Sequence, residues 1–241
     1  MPTSEESSAA LAILIDADNA SPAIVKGLID EVAKLGRATV RRIYGDWTTP
    51  NLGSWKEALL EHSIQPMQQF AYTKGKNATD STLIIDAMDL LYAGNLDGFC
   101  IVSSDSDFTR LASRLKESGK RVYGFGEKKT PRPFVAACDR FIYTEIFTTV
   151  EGKAPARQPA SELDRNQRFL NLVGGAVDDA SEESGWAHLG AVGSILNKKE
   201  PDFDSRNYGY SKLSELLEAS QHFELRRQDK VVSVRRMKSG S

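Results

Sequence analysis

Two apolar, strand-like runs in this sequence end in acidic segments. Residues 11–15 (Leu-Ala-Ile-Leu-Ile) run into a segment with Asp16 and Asp18, and residues 99–102 (Phe-Cys-Ile-Val) run into a segment with Asp105 and Asp107. The carboxyl ends of parallel strands meet at one edge of an α/β sheet, where ligands bind. Carboxylates gathered there repel one another unless a cation neutralises them, and hard divalent cations prefer such oxygen ligands. The sequence therefore predicts an α/β fold with an acidic edge suited to Mg²⁺ or Mn²⁺.

Strand-like and helix-like patterns alternate through the first two thirds of the chain. We predict strands at 11–15, 39–44, 64–68, 98–103, 121–125 and 141–143. We predict helices that begin near Ser21-Pro22 and at 55–62, 79–92 and 107–118, the last of them ending at Gly119. This repeated β-α-β order predicts a mostly parallel, Rossmann-like sheet with helices on both faces.

A polar, proline-containing segment divides the chain. We expect a tail at 1–10, an α/β domain at 11–147, a linker at 148–162, a second domain at 163–238 and a tail at 239–241. In the second domain, helical patterns at 164–179, 186–198 and 211–219 precede two short strands at 223–227 and 231–235. Three helices followed by a hairpin are the layout of a small winged helix-turn-helix domain.

Composition excludes several classes of protein. No apolar run approaches the ~20 residues that span a bilayer, and the first ten residues lack the basic segment of a signal peptide. The two cysteines have no metal-like spacing, and Cys100 lies inside an apolar run, so we expect reduced thiols and a cytoplasmic location. The three histidines are scattered and adjoin none of the acidic segments, which argues against histidine-based acid–base catalysis.

The aspartates differ in how well local structure alone explains them. Asp16 stands directly at a strand end and is the best metal-ligand candidate, whereas Asp18 and Asn19 could equally cap the next helix. One of Asp105 and Asp107 should cap its helix while the other points into the site. Asp80 lies in the first turn of its predicted helix, where its carboxylate either interacts favourably with the helix dipole or belongs to the metal site. Together these aspartates predict a metal site of three or four carboxylates, suited to phosphoester chemistry.

Two residues near Asp80 have weaker claims. Lys76 could contact a substrate phosphate or be an ordinary loop charge. Asp86 follows Asp80 by six residues, about 120° around the helix and about 9 Å along it. We expect Asp86 to be a supporting or substrate-side group.

The second domain carries a local excess of positive charge although the whole chain has a net charge of −2. Its last part, 206–238, holds eight basic and four acidic residues. A basic surface with interleaved aromatic residues is typical of RNA contacts, although the tyrosines could equally pack the start of a helix. The candidate RNA-binding residues are Arg206, Tyr208, Tyr210, Lys212, Arg226, Arg227, Arg235 and Arg236.

Residues 11–147 resemble the NYN domain, a PIN-like nuclease group related to the LabA proteins. The matching pieces are Ile-Asp-Ala-Asp-Asn at 15–19, the Lys76, Asp80 and Asp86 spacing, Ser-Ser-Asp-Ser-Asp-Phe at 103–108 and Val-Tyr-Gly-Phe-Gly at 122–126. The resemblance implies a PIN-like fold and Mg²⁺- or Mn²⁺-dependent RNA cleavage. It also implies Asp16, Asp80 and Asp105 as main metal ligands, Asp107 as an additional acidic residue of the catalytic site, and Asn19 and Ser104 as polar helpers.

Residues 163–238 resemble the OST-HTH/LOTUS domain. The resemblance rests on residues 189–196, on 201–213 with the Asn-Tyr-Gly-Tyr-Ser run, and on the closing strands. It implies RNA binding, and some domains of this class bind a protein partner instead.

Two other functions remain open at this point. The chain could be an RNA-binding adapter whose acidic edge does not turn over substrate. It could also be a haloacid-dehalogenase-type phosphatase, since Asp16 and Asp18 follow the first strand with the spacing of that nucleophile motif. Against the phosphatase, Ala20 stands where that motif has Thr or Val.

Overall fold

The chain forms two compact units, residues 1–148 and 149–241. The structure is a computed structural model that describes residues 9–48, 50–70, 78–148, 156–229 and 231–237. The first unit has two apolar cores, one on each face of its sheet, and the second unit has one.

A six-stranded parallel sheet forms the centre of the first unit. Its strands are β1 (Ala10–Asp16), β2 (Arg37–Gly45), β3 (Gln65–Gln68), β4 (Gly98–Val102), β5 (Arg121–Gly126) and β6 (Arg140–Tyr143). Their order is β3-β2-β1-β4-β5-β6, and every neighbouring pair is parallel. The order reverses between β1 and β4, and a crevice opens at such a switch point of an α/β sheet. The parallel pairing of all neighbouring strands confirms the predicted parallel sheet.

Helices cover both faces of this sheet, as predicted. They are α1 (Val25–Leu35), α2 (Lys56–Glu61), α3 (Ala78–Ala93), α4 (Thr109–Glu117) and α5 (Arg132–Ala137). Apolar residues of α1 and α2 share one core, and those of α3, α4 and α5 share the other. Alternate residues of β1 pack into the two cores: Leu11 and Ile13 face the α1 side, and Ala12 and Leu14 face the α3 side.

Two of the predicted helix ends are confirmed. The Ser21 side chain accepts a hydrogen bond from the Ala23 N–H and opens a 3-10 turn that continues into α1, with Pro22 at its first position. Gly119 ends α4 with a φ of 74°, which glycine adopts readily. The sequence analysis missed α5, whose signal was Pro131 just ahead of the buried pair Phe134 and Val135.

The second unit is a helical domain with a small antiparallel sheet. Its helices are α6 (Ala160–Leu163), α7 (Gln167–Ala180), α8 (Leu189–Lys199) and α9 (Leu213–Ala219). Its strands β7 (Ala187–His188), β8 (Phe223–Gln228) and β9 (Val231–Arg236) pair in the order β7-β9-β8. The β8–β9 hairpin is the wing of the predicted winged-helix fold.

Two predicted helices of this unit were wrong in extent. The helix predicted at 164–179 begins only at Gln167, where the Asn166 side chain caps α7, and the Asp164 carboxylate accepts hydrogen bonds from Ser220 and Gln221. The helix predicted at 186–198 begins later, because Ala187–His188 pairs with the central strand β9. Residues 160–162, expected in the linker, lie in α6.

Candidate metal centre at the carboxyl edge of the sheet

Strand periodicity places Asp16 inside the acidic site. Asp16 follows Ala12 and Leu14 on the face of β1 that α3 covers, and its side chain is fully buried. Ser103, one residue past the end of β4, is buried beside it. The Asp16 Oδ2 atom accepts hydrogen bonds from the Ser103 hydroxyl at 2.7 Å and from the Asn19 amide at 2.8 Å. Its Oδ1 atom accepts one from the Asp18 N–H at 3.0 Å.

These contacts set the ionisation of Asp16. Burial raises its pKa above the ordinary value, and the hydrogen bonds from Ser103, Asn19 and Asp18 oppose that rise. Asp16 is thus a buried carboxylate that holds together the loops following β1 and β4.

Three other aspartates converge at the mouth of the site. Asp80 lies in the first turn of α3, and Asp105 and Asp107 lie in the loop between β4 and α4. Each of the three offers a carboxylate oxygen within 4.8 Å of the other two. Asp80 and Asp105 are half-buried, and Asp107 is exposed. Such spacing suits one divalent cation bound by oxygen ligands.

The β4–α4 loop shows which of its two aspartates is the cap. The Asp105 side chain accepts the Asp107 N–H at 2.9 Å and caps the 3-10 turn Ser106–Phe108 that leads into α4. The Asp105 N–H in turn donates to the Ser103 hydroxyl at 3.0 Å. Ser103, which the sequence analysis did not single out, therefore links Asp16 to Asp105.

The electrostatic state of Asp80 reflects its neighbours. Burial and then the negative charges of Asp16, Asp105 and Asp107 raise the pKa of Asp80 to about 6. A carboxylate held near others of the same sign binds a proton more tightly, and a divalent cation relieves the same repulsion. The donor set and its charge therefore fit a hard cation such as Mg²⁺ or Mn²⁺.

The structure places the remaining predicted helpers around this group. Asn19 lies against Asp16, and Asp18 is exposed at the edge of the site. The Ser104 hydroxyl accepts the Glu127 N–H at 2.9 Å and ties the β4–α4 loop to the end of β5. Gly126 permits that approach, since a Cβ there would lie 2.5 Å from the Ser103 carbonyl oxygen. Lys76 lies outside the described residues.

Asp86, expected to be a supporting or substrate-side group, makes its hydrogen bonds to the sheet. Its carboxylate accepts two hydrogen bonds from the Arg42 guanidinium, at 2.5 and 2.7 Å, and one from the Tyr44 hydroxyl. Both partners lie on β2. Asp86 therefore attaches α3 to the sheet, about a turn and a half of helix beyond Asp80.

The second unit presents a cationic aromatic surface. The guanidinium groups of Arg226 and Arg235 lie over the Trp186 ring, at 4.6 and 4.7 Å from its centroid. Trp186 directly precedes β7, and Arg226 and Arg235 lie on β8 and β9. Trp186 was not among the RNA-contacting residues predicted from the sequence, because the segment 186–198 has a helical pattern. Arg235 also contacts Glu224, at 2.6 Å.

The two predicted RNA-stacking tyrosines pack inside the second unit. Tyr208 packs between the rings of Phe169 and Phe203. Tyr210 is buried, and its hydroxyl donates to the Gln158 carbonyl oxygen at 2.7 Å. Tyr210 is buried and Tyr208 is partly buried, which favours the packing alternative over base stacking.

The other predicted RNA contacts are mostly ion-paired within the second unit. Arg206 pairs with Asp204, Arg227 with Glu218, and Arg236 with Asp178. Lys212 is exposed ahead of α9. The cluster of Trp186, Arg226 and Arg235 is therefore the better-organised basic surface of this unit.

The parallel sheet with its acidic switch point defines a PIN-like α/β domain, followed by a winged-helix domain. Comparison with known families identifies the family of each domain. The NYN domain matches residues 10–146, and the chain belongs to the NYN family, part of the PIN-like nuclease superfamily. The OST-HTH/LOTUS domain matches residues 167–234 and indicates RNA binding. The combination identified from the sequence motifs is confirmed.

Two solved structures are similar to parts of the chain. A protein of unknown function from Vibrio parahaemolyticus is 18% identical, with a TM-score of 0.48, over 58% of this chain and 94% of its own. An uncharacterized protein from Nitrosomonas europaea is 31% identical, with a TM-score of 0.29, over 38% of this chain and 94% of its own. No curated protein matches significantly. None of the helices in the described ranges is long and apolar enough to cross a membrane.

Proposed function

We propose that the protein is a metal-dependent ribonuclease that hydrolyses RNA phosphodiester bonds at the acidic switch point of its first unit. The convergence of Asp80, Asp105 and Asp107 within 4.8 Å carries this proposal. Membership of a nuclease superfamily supports it, and so does the raised pKa of Asp80, because both fit a site that functions with a bound cation.

In this proposal Asp80, Asp105 and Asp107 hold one Mg²⁺ or Mn²⁺ ion. A divalent cation bound there would lower the pKa of a water molecule and neutralise charge on the phosphate. The capping contact of Asp105 keeps its carboxylate on the β4–α4 loop in a fixed orientation. Asp107, the exposed member, faces the side from which RNA would arrive.

Asp16, which is buried, contributes to the proposed metal site indirectly. Its oxygens accept three hydrogen bonds from Asp18, Asn19 and Ser103, so its main role in this proposal is to position the loops that carry the ligands. Its negative charge also adds to the field that attracts a cation to Asp80. A phosphatase would need Asp16 as an accessible nucleophile, and its complete burial argues against that alternative.

The second unit would supply the RNA contacts. Guanidinium planes stacked on an aromatic ring can hold phosphates and stack on unpaired bases. Arg226 and Arg235 on Trp186 form such a surface, and Lys212 adds an exposed cation on the same unit. Replacing Arg226 by Ala should weaken RNA binding and reduce its salt dependence by about one unit of the logarithmic slope.

Cleavage of labelled structured and unstructured RNAs tests the nuclease proposal. Purified protein is incubated with Mg²⁺, Mn²⁺ or EDTA, beside the Asp105→Asn variant. We expect cleavage only with a divalent cation and only with an intact Asp105. Asp89→Asn is the matched control, because Asp89 is an exposed aspartate of α3 outside the acidic group.

Activity in EDTA, or full activity of Asp105→Asn, would contradict the proposal. RNA that is bound but uncut with both cations would instead identify the protein as a non-catalytic RNA-binding adapter.

A further inference from the structure

A cavity of about 170 Å³ lies on the α1 face of the sheet, at the carboxyl ends of β4 and β5. Its apolar lining comes from Ile24, Val102 and Phe125, all buried. A drug-sized ligand needs roughly 300–1,000 Å³, so this cavity admits one small flat group. An apolar lining of this kind suits the face of a nucleobase.

The polar side of the cavity includes a buried acceptor without a partner. The Glu145 Oε1 atom accepts the Lys128 N–H at 2.7 Å. The Glu145 Oε2 atom is buried and has no hydrogen-bond partner among the described residues. Nearly all buried polar atoms are hydrogen-bonded, so this carboxylate oxygen is available to accept from a donor in the cavity, such as a ligand N–H.

Asn19 joins this cavity to the acidic site. It lines the cavity, and its amide donates to Asp16 at 2.8 Å. A base held in the cavity would therefore share the Asn19 side chain with Asp16 and lie at the same carboxyl edge of the sheet as the proposed nuclease centre.

We propose that this cavity is a guanine subsite, in which Glu145 accepts hydrogen bonds from the Watson–Crick edge of the base. This inference rests on the proposed ribonuclease function and names the base beside the scissile bond. Guanine presents two adjacent donors, N1–H and the 2-amino group, which match a carboxylate. Adenine, cytosine and uracil each set an acceptor beside their donor on that edge, and the acceptor would face the carboxylate oxygens.

Binding of free nucleosides tests the subsite apart from catalysis. Guanosine, inosine, adenosine, cytidine and uridine are titrated into the full chain in EDTA and followed by saturation-transfer NMR. Nucleosides carry no phosphate to be repelled by the aspartates, and no cleavage is involved. Inosine lacks only the 2-amino group, so we expect guanosine to bind ~10-fold more tightly than inosine.

The ranking in the wild-type protein decides the question. Equal binding of guanosine and inosine, a preference for another base, or no detectable guanosine binding would overturn the subsite. Failure of the RNA cleavage assay alone would leave this ranking unchanged, so the two proposals fail separately.

The Glu145→Gln variant assigns the effect to one carboxylate. Gln keeps an oxygen for the Lys128 N–H but presents an amide to the base, and the guanosine preference should disappear. Glu117→Gln is the matched control, because it makes the same charge change at an exposed residue of α4. A guanosine preference retained in Glu145→Gln would overturn the role of Glu145.

Discussion

Asp80 and Asp86 lie on the same helix, six residues apart, and the structure gives them opposite environments. Asp80 faces Asp105 and Asp107, and nearby negative charge helps to raise its pKa to about 6. Asp86 faces a guanidinium and a phenol on β2. Asp80 can take a cation from solution, while Asp86 already pairs with the Arg42 guanidinium within the protein.

The difference shows that neighbours, and not residue type, decide whether an aspartate is structural. Opposite charge within a few ångströms stabilises the ionised form, and like charge destabilises it. Asp86 therefore contributes to stability by itself. Asp80 is expected to lower stability in the absence of a cation and to become useful only when one is bound.

The largest expected effect is on cleavage. Asp80→Asn should lower RNA cleavage per folded molecule more than about 100-fold, because even residues that only orient metal ligands are worth ~10–100-fold. Asp86→Asn should stay close to wild type when rates are corrected for the folded fraction. Initial rates on one labelled RNA measure both. A comparable loss in the two variants would remove the distinction between them.

The next effect is on stability, and here Asp86→Asn is the variant that should lose. Asp86→Asn leaves the Arg42 guanidinium, 25% exposed, without its carboxylate. We expect a loss of roughly 2 kcal/mol, or about 4–8 °C in the melting temperature of the first unit. Calorimetric melting measures this. An unchanged melting temperature would mean that α3 does not depend on this ion pair.

A smaller effect is the pH dependence of cation binding. Protonated Asp80 cannot bind a cation, so the affinity for the cation should be constant well above pH 6 and fall about tenfold per pH unit below it.

The stability of the cation-free protein should change with pH in the opposite direction. The folded-state pKa of Asp80 exceeds its ordinary value of 3.8, so ionising Asp80 lowers stability as pH rises from about 4 towards 6. Melting curves of wild type and Asp80→Asn across this range should diverge as pH rises, and parallel curves would contradict the assignment.

The sequence predicted the sheet and the location of the site because both follow from local patterns. Buried strands are continuous apolar runs, and the acidic segments follow them directly. Helix geometry alone also separated Asp86 from Asp80. Contacts between distant segments were not accessible in this way: Arg42 meets Asp86 across 44 positions, and Ser103 meets Asp16 across 87.

The second unit gives the same lesson. Trp186 reads locally as part of a helix, but the pairing of β7 with β9 moves it onto the wing beside Arg226 and Arg235. Tyr208 and Tyr210 read as candidate stacking residues, and only the folded domain shows that Tyr208 packs on Phe169 and that Tyr210 is buried.

Titration of Mn²⁺ into the protein at pH 7.5 by calorimetry tests the central claim most directly. We predict one site in the wild-type protein, the same site in Asp86→Asn, and its loss in Asp80→Asn. Wild-type affinity retained in Asp80→Asn, or no site in the wild-type protein, would show that the three converging aspartates do not form a metal centre.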